Sequence, residues 1–302
     1  MPKVHIDGVL LLDKPTGLTS AATVARARRC FNAAKAGHTG TLDPLASGLL
    51  PLCLGEATKF AADLLDADKG YEALVSLGAT TTTGDAEGEV LERTPVHTSV
   101  AAIEAVLLSL RGPILQTPPM HSALKRDGRP LYSYARAGIS LAREARPVTI
   151  HALELLAFEN ERLTLRVECS KGTYVRVLAE DLGRLLGCGA HLAGLRRTRV
   201  GDFTLENAVT LDALEGADPA ARHDYLGPID GLVQSVARLD LDATESARFC
   251  QGQRIALRDP FAVGRVRVYQ AGSPAPFLGL GEIDAEAVLH PRRVVALRAP
   301  GG

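Results

Sequence analysis

Apolar positions along the chain come mostly in short blocks separated by arginine-rich or acidic stretches. GVLLLDKP (8–15) is a continuous apolar run stopped by proline, which predicts a short buried strand. Thr19 or Ser20 then caps a helix to about Phe31, with Val24 and Ala27 on one face and arginines on another. Leu49 to Leu54 is apolar, Glu56 to Leu65 reads as helix, and YEALVSL (71–77) alternates as a strand does. The turn-rich TTTTGDAEGE follows it.

Ser99 to Leu110 is an amphipathic helix, with Val100, Ile103, Val106, Leu107 and Leu110 on the apolar side. Val148 to Phe158 and Arg162 to Cys169 form a strand pair around ENE. SKGTY (170–174) opens a helix to about Leu186 that turns Val175, Leu178, Leu182 and Leu185 inward, and His191 to Val200 is a further strand. The pattern breaks in two places. Residues 113–147 are dense in Pro, Gly and Arg and carry Tyr132 and Tyr134; so long an excursion inside a domain points to function or disorder. From about Thr210 to Val236 the chain is acidic and loop-like, which marks a domain junction. Beyond it GQRIAL, GRVRVYQ, FLGLGEI and RRVVAL read as short strands of a small β-barrel.

Composition changes this picture little. With 302 residues and 46% hydrophobic positions the chain has enough for a large domain and a small one. No apolar run approaches membrane-span length and no signal peptide is evident, so a cytoplasmic protein is expected. Five widely spaced cysteines without a Cys-x-x-Cys pair, and histidines without ligand spacing, give no disulfide framework and no metal site. Charge matters more. The net is −1, yet Arg111 to Arg199 holds 13 Arg and 2 Lys against 8 acidic residues. A basic segment in a neutral protein is compatible with a localised polyanion surface, and equally with a solvated face.

GHTGTLDPLASGLL (37–50) holds the sharpest question. Asp43 before Pro44 fits a helix N-cap or a turn, since proline suits the first helical position and pushes its predecessor out of the α region. The G-x-x-G of GHTG is a weak phosphate-loop pattern, and Walker and Rossmann glycine patterns are absent, so no cofactor is indicated.

Five blocks in order, LLLDKPTGLTS (10–20), AGHTGTLDPLASGLLPLCLGEATK (36–59), Tyr71 in DKGYEA, CSKGTYVRVLAEDLG (169–183) and HLAGLRRTRVG (191–201), resemble the TruB family of tRNA pseudouridine synthases. GEIDAEAVLHPRRVV resembles that family's C-terminal PUA-type RNA-binding domain. The resemblance implies an α+β catalytic domain on a mixed, mainly antiparallel sheet with flanking helices over 1–210, a connecting segment over 211–236 and a PUA-like β-barrel over 237–302. It implies cofactor-free isomerisation of the T-loop uridine, position 55 of tRNA, with the base flipped out of its stack. Asp43 is then the nucleophile, Arg176 its partner, and Tyr71 the residue that stacks on the base and serves in proton transfer. Leu195 packs under the ring, His38 fills the vacated space, and Lys14 contacts phosphate or supports the site. The basic insertion at about 113–147 corresponds to a thumb over the T-loop, with phosphate contacts from Arg126, Arg129, Arg136, Arg143 and Arg146.

Thr82, His121 and Gly70 depart from residues common in the family, and none of them is Asp43, Tyr71 or Arg176. The expected partner is tRNA through its T-stem-loop, with no membrane and no obligate protein partner. The alternatives are a guide-RNA-dependent relative acting on ribosomal RNA and a non-catalytic tRNA-folding chaperone.

Overall fold

The computed structural model describes residues 3–259 and 261–296. Its spine is a mixed sheet of eight strands: β1 (Gly8–Lys14), β2 (Ala46–Leu54), β3 (Lys69–Leu77), β4 (Gly112–Gln116), β5 (Arg146–Glu159), β6 (Arg162–Cys169), β7 (Ala190–Val200) and β8 (Val209–Thr210). They lie in the order β8-β1-β2-β7-β3-β6-β5-β4, and three short strands pair alongside to make eleven. All neighbours are antiparallel except β1 with β8 and β2 with β7.

Among the described residues there are seven α-helices: α1 (Ser20–Cys30), α2 (Ala61–Leu65), α3 (Val100–Ser109), α4 (Leu131–Arg136), α5 (Val175–Leu185), α6 (Leu211–Gly216) and α7 (Ala243–Cys250). Thr19 caps α1 by accepting from the Ala22 amide at 3.1 Å, and Ser99 caps α3 by accepting from Ala102 at 3.2 Å. Both caps follow from a short hydroxyl side chain at the first orphan amides.

Strand β2 is buried almost throughout, as a continuous apolar run should be when both sheet faces are covered. Leu10 and Leu12 of β1 join Ala27 of α1 and Leu214 of α6 on one face. Val9, on the other face, meets Phe60, Leu64 and the C-terminal Leu280 and Val295. A separate cluster joins β3, β6 and β7 to Ile103 and Leu107 of α3 and to Leu178 and Leu182 of α5.

The second sheet is a curled half-barrel of β9 (Ala237–Leu241), β10 (Ile255–Ala256), β11 (Gly264–Gln270), β12 (Phe277–Ile283) and β13 (Val288–Val294), in the order β9-β11-β12-β13-β10. It docks on the first through the Val9–Leu280 cluster, an Arg265–Asp63 ion pair and a bond from Lys59 Nζ to the Val294 carbonyl at 2.8 Å.

Several expectations are corrected. The helix expected over 56–65 is a 3-10 turn, Gly55–Phe60, followed by the short α2. Val100 and Leu185 are exposed, because each sits at a helix end beyond the packed stripe. Part of 113–147 is regular: β4 and β5 take its ends, and a small hairpin, Lys125–Arg126 with Arg129–Pro130, precedes α4. The last strand starts upstream of RRVVAL and takes in only its first three residues, at Val288–Val294. Within GQRIAL only Ile255–Ala256 is strand. The barrel half also contains α7, a helix not expected there, which opens on an Asp242–Glu245 capping box. The acidic segment after Thr210 is tied to the first sheet, since Leu226–Gly227 pairs antiparallel with Leu10 and Val9. Residues 297–302 of the expected last domain lie outside the described residues.

One glycine is required by the packing that builds the site. Gly48 has φ of +100°, and a Cβ there would lie 2.2 Å from the Arg197 carbonyl oxygen. Only glycine allows β2 to run this close to β7, and that approach brings Asp43, just upstream of β2, beside β7.

Candidate active site

The chain from Thr39 to Leu45 crosses between the short strand Ala36–His38 and β2 without forming a helix. Asp43 therefore caps nothing. Its carbonyl accepts from the Ala46 amide at 3.1 Å, closing a turn with Pro44 at its second position, and Gly17 N–H bonds the Pro44 carbonyl at 2.7 Å. The side chain is left free to project, nearly half exposed, at the rim of a cavity of about 220 Å³.

Arg176 reaches the same rim from the first turn of α5 and is buried. One terminal nitrogen lies 3.0 Å from Asp43 Oδ2 and donates to the His121 carbonyl at 2.6 Å. The other donates to the Thr83 carbonyl at 3.2 Å and lies 3.5 Å from Asp85 Oδ2. The GTYVR turn before α5 is anchored to β4, since Tyr174 N–H donates to Gln116 Oε1 at 3.0 Å. A guanidinium clamped by two carbonyls and two carboxylates has one available orientation, so Asp43 meets a fixed cation rather than a mobile side chain.

Asp85 is the partner that the sequence did not reveal. It is buried, and its Oδ1 accepts from Thr83 Oγ1 at 2.6 Å and from the Glu87 amide at 3.1 Å. An aspartate in a Gly-rich turn reads as turn chemistry, and nothing local marks it as a ligand for an arginine far along the chain.

Tyr71 and Leu195 line the same cavity from adjacent strands, with Tyr71 opposite Arg197 and Leu195 opposite Ala73. Burial raises the Tyr71 hydroxyl above its ordinary pKa, partly offset by Arg197. Lys69 and Arg197, two buried cations in the cavity wall, have no separate mark in the local pattern. Cross-strand register supplies them, and register acts between distant segments.

His38 does not line this cavity. It borders the neighbouring cleft on the other side of Asp43 and Arg176, with Thr19, Ser20 and Tyr132. Its Nδ1 accepts from the Gly40 amide at 3.2 Å, and burial lowers its pKa toward the neutral ring. Lys14 is closed to solvent, and Nζ donates to the Pro15 and Leu18 carbonyls at 2.9 and 2.6 Å. Burial brings its pKa down to about 8. An amine so enclosed holds the Pro15–Leu18 loop and has no path to an RNA phosphate, so of its two expected roles the phosphate contact is dropped.

The five arginines of 113–147 differ in freedom. Arg126 donates to the Ala142 carbonyl at 2.9 Å, and Arg143 donates to the Leu141 and Pro118 carbonyls, both at 3.2 Å. Arg129 covers the Tyr134 ring at 5.6 Å and Arg136 the Tyr132 ring at 5.4 Å, while Arg146 is exposed at the start of β5. Of the three departures from the family pattern, Gly70 has a packing reason: a Cβ there would lie 2.6 Å from Glu168 Oε1, within the Glu168–Arg199 pair. Thr82 Oγ1 accepts from the Glu89 amide at 3.1 Å, and His121 serves Arg176 through its backbone carbonyl.

Three successive family models match. They are TruB family pseudouridylate synthase (N terminal domain) over 28–175, tRNA pseudouridylate synthase B C-terminal domain over 176–236, and Pseudouridine synthase II TruB, C-terminal, over 237–295. A protein of Aromatoleum aromaticum named tRNA pseudouridine synthase B is 58% identical over 291 residues, 96% of this chain and 93% of the relative. The chain belongs to the TruB family. A Burkholderia lata protein of the same name is 57% identical over 304 residues, covering 99% of this chain and 93% of its own. Among solved structures, the crystal structure of a Cbf5-Nop10-Gar1 complex contains a similar chain, with TM-score 0.70 and 27% identity, covering 95% of this chain and 84% of that one. An H/ACA RNP bound to a substrate RNA containing 2′-deoxyuridine gives TM-score 0.70 at 25% identity, over 96% and 86%. The family is a pseudouridylate synthase family, so the mixed sheet and half-barrel described above are those of a pseudouridine-forming isomerase.

Proposed function

We propose that this protein isomerises the uridine at position 55, in the T-loop of tRNA, to pseudouridine. The reading rests on one geometric observation: the Asp43 carboxylate stands 3.0 Å from the clamped Arg176 guanidinium, at the rim of a cavity walled by Tyr71 and Leu195. The name carried by the relatives at 57–58% identity, tRNA pseudouridine synthase B, supports tRNA as substrate.

In this reading Asp43 is the nucleophile and Arg176 keeps it ionised and aimed. Asp43 attacks at ribose C1′ or at uracil C6, two routes between which the reading does not choose. The C1′–N1 bond breaks with its electron pair going to the uracil, the base turns, C5 bonds to C1′, and the bond to the carboxylate breaks with its pair returning to Asp43. C5 then loses its proton and N1 gains one, so no redox partner is consumed. Tyr71 stacks on the base and takes the C5 proton, Leu195 supports the ring, and His38 fills the place left by the flipped nucleotide. Residues 1–210 carry the reaction, 211–236 connect, and the half-barrel from 237 onward binds RNA as a PUA-like domain. The protein works in the cytoplasm, on tRNA, without an obligate protein or guide-RNA partner.

The test is release of tritium from uridine C5 in a bare tRNA transcript, without guide RNA or protein partners. Release at position 55, abolished when that uridine is replaced by cytidine, is the expected result. No release from the bare transcript would favour the guide-dependent or chaperone alternatives. A further expectation concerns the thumb. Replacing Arg136 and Arg146 by Ala should reduce the slope of log affinity against log salt by about 2, one for each phosphate no longer neutralised. An unchanged slope would return 113–147 to an ordinary surface.

A further inference from the structure

Arg197 is almost wholly buried, at 2% exposure, yet makes no ion pair among the described residues. Burying a guanidinium without an acid costs several kcal/mol unless its N–H groups are satisfied. Nε donates to the Leu49 carbonyl at 2.8 Å and one terminal nitrogen to the Gly40 carbonyl at 3.1 Å. The guanidinium and the Tyr71 side chain line the same cavity, and the cation acts to lower the pKa of that phenol. Register sets them side by side, since Tyr71 and Arg197 are paired residues of β3 and β7 whose side chains share a face. On its other side Arg197 pairs in register with Gly48, where the strand approach admits no side chain. The charge is thus held from two strands and turned toward one phenol in the cavity wall.

We propose that Arg197 is a positioning residue for the isomerisation, supplying beside Tyr71 the positive charge against which Tyr71 takes the proton from uracil C5. The inference rests on the reading of Tyr71 as that base. A neutral phenol is a poor acceptor for a carbon-bound proton, so Tyr71 must act as phenolate, its own proton having gone to water. The C5–H electron pair enters the C5=C6 bond, the N1=C6 pair withdraws onto N1, and N1 takes a proton from water. Tyr71 ends as the phenol. The other ionisable groups that face Tyr71 are Cys169 on β6, whose thiol burial pushes up to about 11 and so keeps neutral, and Asp43 at the turn, which opposes a negative charge there. Arg197 is the facing group that favours it. A preorganised charge in a dry wall acts more strongly than the same charge in water.

The experiment is single-turnover conversion of tRNA bearing protium or deuterium at C5 of the target uridine, with wild type, Arg197→Gln, Arg197→Lys and Tyr71→Phe. Losing the charge should slow Arg197→Gln by about 10²-fold, the lower range for a general base. Its deuterium isotope effect should exceed that of the wild type, because C5 deprotonation becomes limiting, and Tyr71→Phe should show the same enlargement. Arg197→Lys should recover part of the rate and shrink the effect. If Arg197→Gln slows the reaction with an unchanged isotope effect while Tyr71→Phe enlarges it, Arg197 is only structural and the proposal falls. An unchanged isotope effect in Tyr71→Phe overturns the base reading itself, and this inference with it. Should Arg197→Gln not fold, Arg197→Lys decides: an isotope effect above wild type supports the proposal, and an equal one overturns it.

Discussion

Asp43→Asn should reduce single-turnover pseudouridine formation by at least about 10⁴-fold, the scale on which removal of a catalytic carboxylate or nucleophile acts in a cooperating site. The substitution is nearly isosteric and falls on a residue whose side chain is almost half exposed. Its backbone role, accepting from the Ala46 amide, survives unchanged. The fold should therefore tolerate it, and tRNA affinity should stay close to wild type, because phosphate contacts dominate affinity and a carboxylate neutralises no phosphate. Tritium release with filter binding on the same preparation separates the two quantities. Wild-type release by the variant would remove Asp43 from the chemistry, and a parallel fall in binding would make it an RNA contact.

Arg176→Met should do two things at once, and a second substitution separates them. Arg176 faces Asp43 at the rim and Asp85 in the interior. Removing it leaves the Asp85 carboxylate buried without its cation, and breaking such a pair costs about 3 kcal/mol or more. Activity should fall by about 10²–10³-fold, as when one preorganised charge is deleted from a site. In Arg176→Met with Asp85→Asn the buried charge is gone, so the urea midpoint should return toward wild type while activity stays low. If the single variant keeps its urea midpoint, Asp85 does not depend on Arg176. If the double variant recovers activity as well, Arg176 serves the fold and not the reaction.

Local pattern predicts structure well where the physics is local. Thr19 and Ser99 cap helices because a hydroxyl oxygen within reach of free amides is set by neighbouring residues alone. The strand pair around ENE follows from alternation and a turn. Asp43 is the instructive failure. Asp-Pro is compatible with a helix start or a turn, and the local sequence does not choose. The choice comes from β2, whose strand pairing begins at Ala46 and leaves no residues for a helix. The same pairing explains why Leu195 and Tyr71, which look like ordinary core residues, open onto one cavity.

The sequence alone determined the family, through five ordered blocks, and with it the expectation that Asp43, Tyr71 and Arg176 carry the chemistry. It also determined which runs are apolar enough to be buried. Only the tertiary structure decided that Asp85 joins Arg176, that Lys14 is enclosed and that Arg197 is a buried cation set against Tyr71. The reason is the range of the interactions. Caps, turns and periodicity act over a few residues, whereas most of these contacts join positions dozens to more than a hundred apart, through strand register and the close approach at Gly48.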